Sequence, residues 1–262
     1  MFRRRRHTHH GDHPPAVSQR FEAKYIIRAS DALAIREHLR PFMDPDPNGQ
    51  EYPVTSIYLD SPDLNMYWSS SRGEERRQKL RIRTYARGNG HACYFEVKRR
   101  YNQIVKKDRA VVHAKFADAL AHGSPITPDM LLYPERDLEN LYHFHDLRER
   151  LDATPRVVVR YLREAWIGKM DEPLRITFDR HITCLPSDRY DPPAWEASPY
   201  WFEAPGEPMV LEVKFTDAFP IWVEDMIRRL DLLRDSFAKY VVCVDGLQRE
   251  GVGVRGRLEA YT

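Results

Sequence analysis

Apolar and polar residues alternate one by one through much of this chain, the period of a strand with two unlike faces. In KLRIRTYA, from Lys79, one face carries Lys79, Arg81, Arg83 and Tyr85 and the other Leu80 and Ile82. CYFEVKRR, from Cys93, sets Glu96 and Lys98 against Phe95 and Val97, and IVKKDRAVV, from Ile104, puts Lys107 with Arg109. RGNGH reads as a hairpin connection between the first two, so the three segments form a meander. The same alternation predicts strands at RFEAKYII, YPVTSIYLD, RVVVRYLREAW, LRITFDR and MVLEVKF, and a closing strand at FAKYVVCVD. On these, Glu22 shares a face with Lys24, Arg160 with Glu164, Arg175 with Thr177 and Asp179, and Glu212 with Lys214.

Helical spacing appears between the strands. A helix is predicted after Ser30 or Asp31, ended by Pro41, and a short one opens at Ser61, Pro62 and Asp63 with Leu64, Tyr67 and Trp68. Further helices are expected over 115–121, over 135–151 and after Pro220; the second has Leu138, Leu141, Tyr142 and His145 at i, i+3, i+4 and i+7 to cover the sheet. Residues 44–49, DPDPNG, form a turn-rich loop, and the Pro- and aromatic-rich stretch between Leu185 and Pro208 reads as a loop packing its own rings, with a lid as an alternative. The expected class is α+β: a closed antiparallel eight-stranded β-barrel over residues 19–248, with helices packed outside. Residues 1–18 form a basic, His-rich tail with too little apolar content to order it, and 249–262 a C-terminal tail.

Overall charge adds little, since 41 Lys and Arg nearly cancel 39 Asp and Glu. A basic site must therefore arise locally. Cys93, Cys184 and Cys243 lack the paired spacing of a zinc site or disulfide framework, which suits a reducing compartment, and a cytoplasmic location is expected. No apolar run is long enough for a spanning helix, so no membrane span is expected, and association with a separate membrane protein is left open. His143 and His145 are i and i+2 on a helix and do not share a face, so no metal pair is expected there.

An ordinary solvated face would mix neutral polar groups with both charge signs, whereas these faces are dominated by Arg and Lys. Adjacent like charges repel unless an anion joins them. Turned into a barrel lumen, they suit a linear polyanion such as triphosphate, ATP or polyphosphate, because Arg grips phosphate oxygens through a planar fork and Lys adds a point charge. Among the acids on these faces, Glu22, Glu96, Glu164, Asp179 and Glu212, the last is chosen as ligand for a divalent metal, with an ordinary ion pair to Lys214 or an Arg as the alternative. Nucleic acid is not expected as a partner, because only Tyr85 and Tyr94 offer stacking rings on these faces.

Taken in order, RFEAKY, YPVTSIYLDSPDLNMYW, RRQKLRIRTYA, YFEVKRR with KKDR, RVVVRYLREAW, LRITFD, LEVKF and FAKYV resemble the vacuolar transporter chaperone (VTC) domain of polyphosphate polymerases, within the CYTH-like triphosphate tunnel metalloenzymes. The resemblance implies a tunnel and metal-dependent transfer of the γ-phosphoryl of ATP to a polyphosphate chain, with Mn2+ or Mg2+ as cofactor. Carried over by motif, the phosphate ligands are Lys24, Arg81, Arg83, Lys98, Lys107, Arg160, Arg175 and Lys239, with Arg81, Arg83 and Lys239 at the transfer step and Glu212 on the metal. Arg109 joins them on strand phase alone. The chain departs from the family's Lys-Phe-Ser-Lys-Tyr at Ser236 and Ala238, losing a cation and a hydroxyl. It also carries Arg20 where the superfamily's first strand has an acid, against a two-metal triphosphatase. A non-catalytic polyphosphate- or nucleotide-binding module and a tunnel triphosphatase remain as alternatives.

Overall fold

A computed structural model describes residues 20–47, 49–85, 91–101, 104–170, 174–216 and 218–254. Residues 87–90 of the RGNGH connection, the tail over 1–18 and the last residues of the C-terminal tail lie outside the described residues.

The alternating segments pair as predicted, into one antiparallel sheet of β1 (Arg20–Ile27), β2 (Met43–Pro45), β3 (Glu51–Asp60), β4 (Arg76–Tyr85), β5 (Ala92–Tyr101), β6 (Ile104–His113), β7 (Thr154–Gly168), β8 (Arg175–Pro186), β9 (Phe202–Glu203) and β10 (Met209–Thr216). The main path is β1-β10-β8-β7-β3-β4-β5-β6, with β2 on β7 and β9 on β8. Register brings like faces together: Arg81 lies opposite Glu96, Glu96 opposite Arg109, and Lys24 opposite Glu212. Strand twist and two register shifts, at Tyr58/Leu59 between β3 and β7 and at Arg160/Leu162 between β7 and β8, bend the sheet into a half-barrel with these charges on the concave side.

The expected closure does not occur, because β1 and β6 are the two ends of the path and do not pair. Their edges are used otherwise. Asp235 N donates to Lys24 O at 2.9 Å, and Tyr25 bridges to Arg234. On β6, Leu132 N donates to Val111 O at 3.0 Å, Val111 N donates to Asp137 Oδ2 at 2.9 Å, and Asn140 Nδ2 donates to Arg109 O at 3.0 Å. These contacts occupy part of the edge that a partner strand would need. Across the opening a side-chain contact, Lys98 Nζ to Glu22 Oε2 at 3.1 Å, takes the place of a ladder.

Most helices cover the convex face. There α3 (Ala117–Ala121), α4 (Pro134–Arg150) and α5 (Pro192–Ala197) pack on Leu80, Ile82, Phe95 and Val97, while α1 (Ala29–Leu39) and α6 (Ile221–Arg229) pack on Tyr25, Phe178, Leu211 and Val213. The buried stripe of α4 is rotated from the predicted one, to Asp137, Leu141, Phe144 and Leu147. Phe144, with no polar handle, takes the place against Phe95 at 4.9 Å, and Tyr142 keeps its phenol in water. The Pro- and aromatic-rich stretch packs its own rings as expected, Trp195 edge-on to Tyr190 at 5.2 Å, yet builds α5 and β9 where no regular element was expected.

The expected closing strand is a helix, α7 (Lys239–Arg249), and it sits on the concave side. Its β-branched run, Val241, Val242 and Val244, mimics a strand, but Tyr240, Cys243, Val244 and Leu247 recur at i, i+3, i+4 and i+7 and are all buried. They meet Tyr58, Val157, Val159 and Val210, whose phase is that of the cations, so α7 fills part of the trough. Asp60 fixes this arrangement. Its carboxylate accepts Met66 N and Tyr67 N of α2 (Asn65–Ser71), each at 2.9 Å, Ser61 N at 2.8 Å and the Tyr240 hydroxyl at 2.9 Å. No described helix is long and apolar enough to cross a membrane.

Candidate functional site

Two buried knots of charge lie on the concave face. In the first, Glu96 on β5 is only 1% exposed and accepts from Arg81 Nε and Arg109 Nε, each at 2.7 Å, with Lys107 Nζ at 2.6 Å. Burial pushes its carboxyl up, but Arg81, Arg83, Lys107 and Arg109 overcome this and hold it far below the usual carboxylate range. Glu96 therefore stays ionised and keeps mutually repelling cations in place. Arg81 also donates to Tyr58 Oη at 3.3 Å, and Arg83 to Ser56 Oγ at 3.1 Å and Tyr161 Oη at 3.4 Å.

In the second knot, Arg163 on β7 forks onto Asp179 on β8 with two bonds of 2.7 Å. Lys239, the first residue of α7, reaches Asp179 at 2.6 Å and Glu212 on β10 at 3.0 Å. Glu212 also meets Lys214 at 2.9 Å, Lys24 at 3.4 Å and Arg163 at 3.4 Å. Burial opposes its charge, and Lys214, Lys239, Lys24 and Arg163 together hold it well below the usual range. Tyr161 joins the knots: its hydroxyl accepts from Arg83, and its ring lies 4.7 Å from Lys239 Nζ and 5.3 Å from the Arg163 guanidinium.

Between them Glu22 bridges Lys24 at 3.2 Å and Lys98 at 3.1 Å. Burial lowers Lys98 to about 8, against the pull of Glu22, and burial lowers Lys107 to about 8, against the pull of Glu96. Lys79 is half-buried and has no acid in contact among the described residues. Burial, then Lys24, Lys98 and Arg81, hold its amine well below the ordinary lysine value. The surplus here is positive, and an incoming anion would relieve it.

Of the residues singled out in the sequence, Lys24, Arg81, Arg83, Lys98, Lys107, Arg109, Lys239 and Glu212 are brought together. Arg175 has the concave phase but sits at one end, on Asp46 at 2.7 Å and Tyr52 Oη at 2.9 Å. Arg160 does not reach the trough. It lies on the other face of β7, 2.7 Å from Glu196 and stacked over Trp201 at 4.2 Å, and Glu164 on that same face is held by Arg36 at 2.8 Å. Alternation alone cannot orient RVVVRYLREAW, because both of its faces carry an Arg, and the register shift at Arg160/Leu162 interrupts the phase. Sequence reasoning thus missed Arg163 and Tyr161, whose signal is that Arg163 falls opposite Asp179 in register. His143 and His145 contact different acids, Glu139 at 3.8 Å and Glu149 at 3.7 Å.

For the expected metal, no three of His, Cys, Asp and Glu converge among the described residues. Glu212 shares Arg163 and Lys239 with Asp179 and Lys24 with Glu22, so cations already occupy these carboxylates and the protein alone makes no cage. One carboxylate with substrate phosphates is nevertheless a donor set that Mg2+ accepts. A cavity of about 520 Å³ adjoins the β6 rim, lined by Tyr94, Lys107, Arg109, Tyr133 and Arg136. A larger one, about 1070 Å³, lies away from the knots beside α7, and its charges, such as Arg28, Asp235, Asp245 and Arg249, are mixed.

These features define a curled-sheet protein with a basic concave face. The VTC domain family model matches residues 19–247, and the chain belongs to that family, which is associated with polyphosphate polymerases. No curated protein matches the chain. Among solved structures it is similar to the PH1819 protein from Pyrococcus horikoshii OT3, at 12% identity and TM-score 0.44 over 86% of this chain and 98% of that one. It is also similar to a chain of the Schizosaccharomyces pombe Mediator head module, at 11% identity and TM-score 0.34 over 81% and 91%.

Proposed function

We propose that the trough binds the phosphates of ATP and of polyphosphate, and that the protein transfers the γ-phosphoryl of ATP to the end of a polyphosphate chain. The observation that carries this reading is the convergence of Arg83, Arg163 and Lys239 on Tyr161. A phosphoryl group above that ring would meet cations from both knots. Phosphoryl transfer asks the protein for in-line positioning and charge neutralisation rather than a covalent nucleophile. Arg81 and Arg83 on β4 would hold one side of the transferring group and Lys239 and Arg163 the other; Arg81, Lys239 and Arg163 would exchange part of their carboxylate contacts, and Arg83 its contacts to the Ser56 and Tyr161 hydroxyls, for phosphate oxygens. Glu212 would be the residue to hold Mn2+ or Mg2+, which would supply further neutralisation of phosphate charge.

A second reading, a module that binds polyphosphate without turnover, is favoured by Ala238. It is the residue that caps α7, beside Lys239, and it offers no side-chain hydroxyl there. Incubating the protein with ATP and Mn2+ while following ADP release and polyphosphate length separates the readings. Long polymer with ADP is the expected result. Binding without turnover would leave only the module, and orthophosphate without polymer would indicate hydrolysis.

A further inference from the structure

We propose that Lys79 is a nucleophilic amine that captures phosphate-bearing aldehydes as an imine, with Arg81 and Lys98 holding the phosphate. Every other lysine on the concave face among the described residues contacts a carboxylate. Lys24 meets Glu22 and Glu212, Lys98 meets Glu22, Lys107 meets Glu96, Lys214 meets Glu212, and Lys239 meets Asp179 and Glu212. Lys79 has no such contact among the described residues, although it is half-buried.

The groups around it come from four strands. It lies directly opposite Lys98 on β5, Arg77 and Arg81 flank it in the same phase on β4, and Lys24 acts on it from β1. The nearby acids are committed elsewhere: Glu22 to Lys24 and Lys98, and Glu96 to Arg81, Lys107 and Arg109. Asp60, the next residue of concave phase after Tyr58 on β3, accepts Ser61 N, Met66 N, Tyr67 N and the Tyr240 hydroxyl. A half-buried amine among cations, with no counterion, sheds its proton. Burial, then Lys24, Lys98 and Arg81, act on Lys79 in that direction. A neutral lysine beside other cationic groups is the form that condenses with a carbonyl. Its Nζ lone pair attacks the aldehyde carbon and the carbonyl electron pair moves to oxygen. Both amine protons end on that oxygen, which leaves as water, and a C=N bond replaces C=O with nothing oxidised or reduced. A phosphate on the same small molecule would be held by Arg81 and Lys98, so the adduct would block the first knot.

The inference rests on the phosphate-binding reading above. The full chain would be incubated near neutral pH with pyridoxal 5′-phosphate or with pyridine-4-carboxaldehyde, which lacks the phosphate. Borohydride would fix the imine, and peptide mass spectrometry would locate it. Pyridoxal 5′-phosphate should label Lys79 at least about tenfold faster than the exposed Lys106, Lys115 and Lys169, since each pKa unit lost gives about tenfold more neutral amine. The aldehyde without phosphate should label Lys79 at least about tenfold more slowly, and excess tripolyphosphate should protect it. Lys79→Arg should abolish the fast label. Labelling in order of exposure, labelling foremost at Lys98 or Lys107, or equal labelling by the two aldehydes overturns the inference alone if tripolyphosphate still binds. A native protein that does not bind tripolyphosphate overturns the phosphate-binding reading with it.

Discussion

Two arginines three positions apart on β7 carry opposite expectations. Arg163 holds Asp179 and Glu212 on the concave side, whereas Arg160 holds Glu196 and Trp201 on the other. Arg160→Ala should leave tripolyphosphate affinity unchanged as read by calorimetric titration. Arg163→Met should lower it at least about tenfold, since a charge-assisted fork contributes roughly twice a neutral hydrogen bond. It should also lower the melting temperature, because buried Asp179 loses the partner that spans both of its oxygens. The reverse order of effects would place β7 in the other phase.

At the scale of elements, the segment after Phe237 shows how a helix can replace a strand in the reading of a sequence. Its apolar positions satisfy a helical period, but its valines raise strand propensity, and only the neighbours decide. Those neighbours are the concave residues Tyr58 and Val159, with Asp60 tying α2 and α7 to the end of β3. Asp60→Ala would strand buried N–H groups and the Tyr240 hydroxyl, and should cost about 2–4 kcal/mol, measured as a shift of the urea midpoint at unchanged slope. The other strands were legible because Lys79 to Tyr85 or Glu22 to Lys24 alternate cleanly. Closure was not legible, because nothing in β1 or β6 as sequence announces that Asp235 and Asp137 occupy their edges. The site was legible wherever one face was uniformly basic, and it failed at Arg160, where both faces carry charge.

For the molecule as a whole, crowding of cations in one trough makes anion binding depend on pH in a defined direction. Burial lowers Lys98 and Lys107 to about 8 in the free protein, and Lys79 lies well below its ordinary value. A bound phosphate favours the ammonium form and raises these values. Where the free protein already holds the protons, binding needs none. Above about pH 8 free Lys98 and Lys107 are neutral, so each phosphate that engages one must bring a proton with it, and affinity falls by up to about tenfold per pH unit for each lysine coupled in this way. Titration with tripolyphosphate in two buffers of different ionisation enthalpy should therefore show net proton uptake at about pH 9 and much less at about pH 7.5, with weaker binding at the higher pH. Replacing Lys98 and Lys107 by Arg, which stays protonated throughout this range, should flatten the dependence and keep the affinity at about pH 7.5 within a few-fold. Affinity that is constant up to about pH 9 in the native protein would mean that these lysines hold their protons without an anion, and that the surplus charge of the trough is neutralised by its own carboxylates.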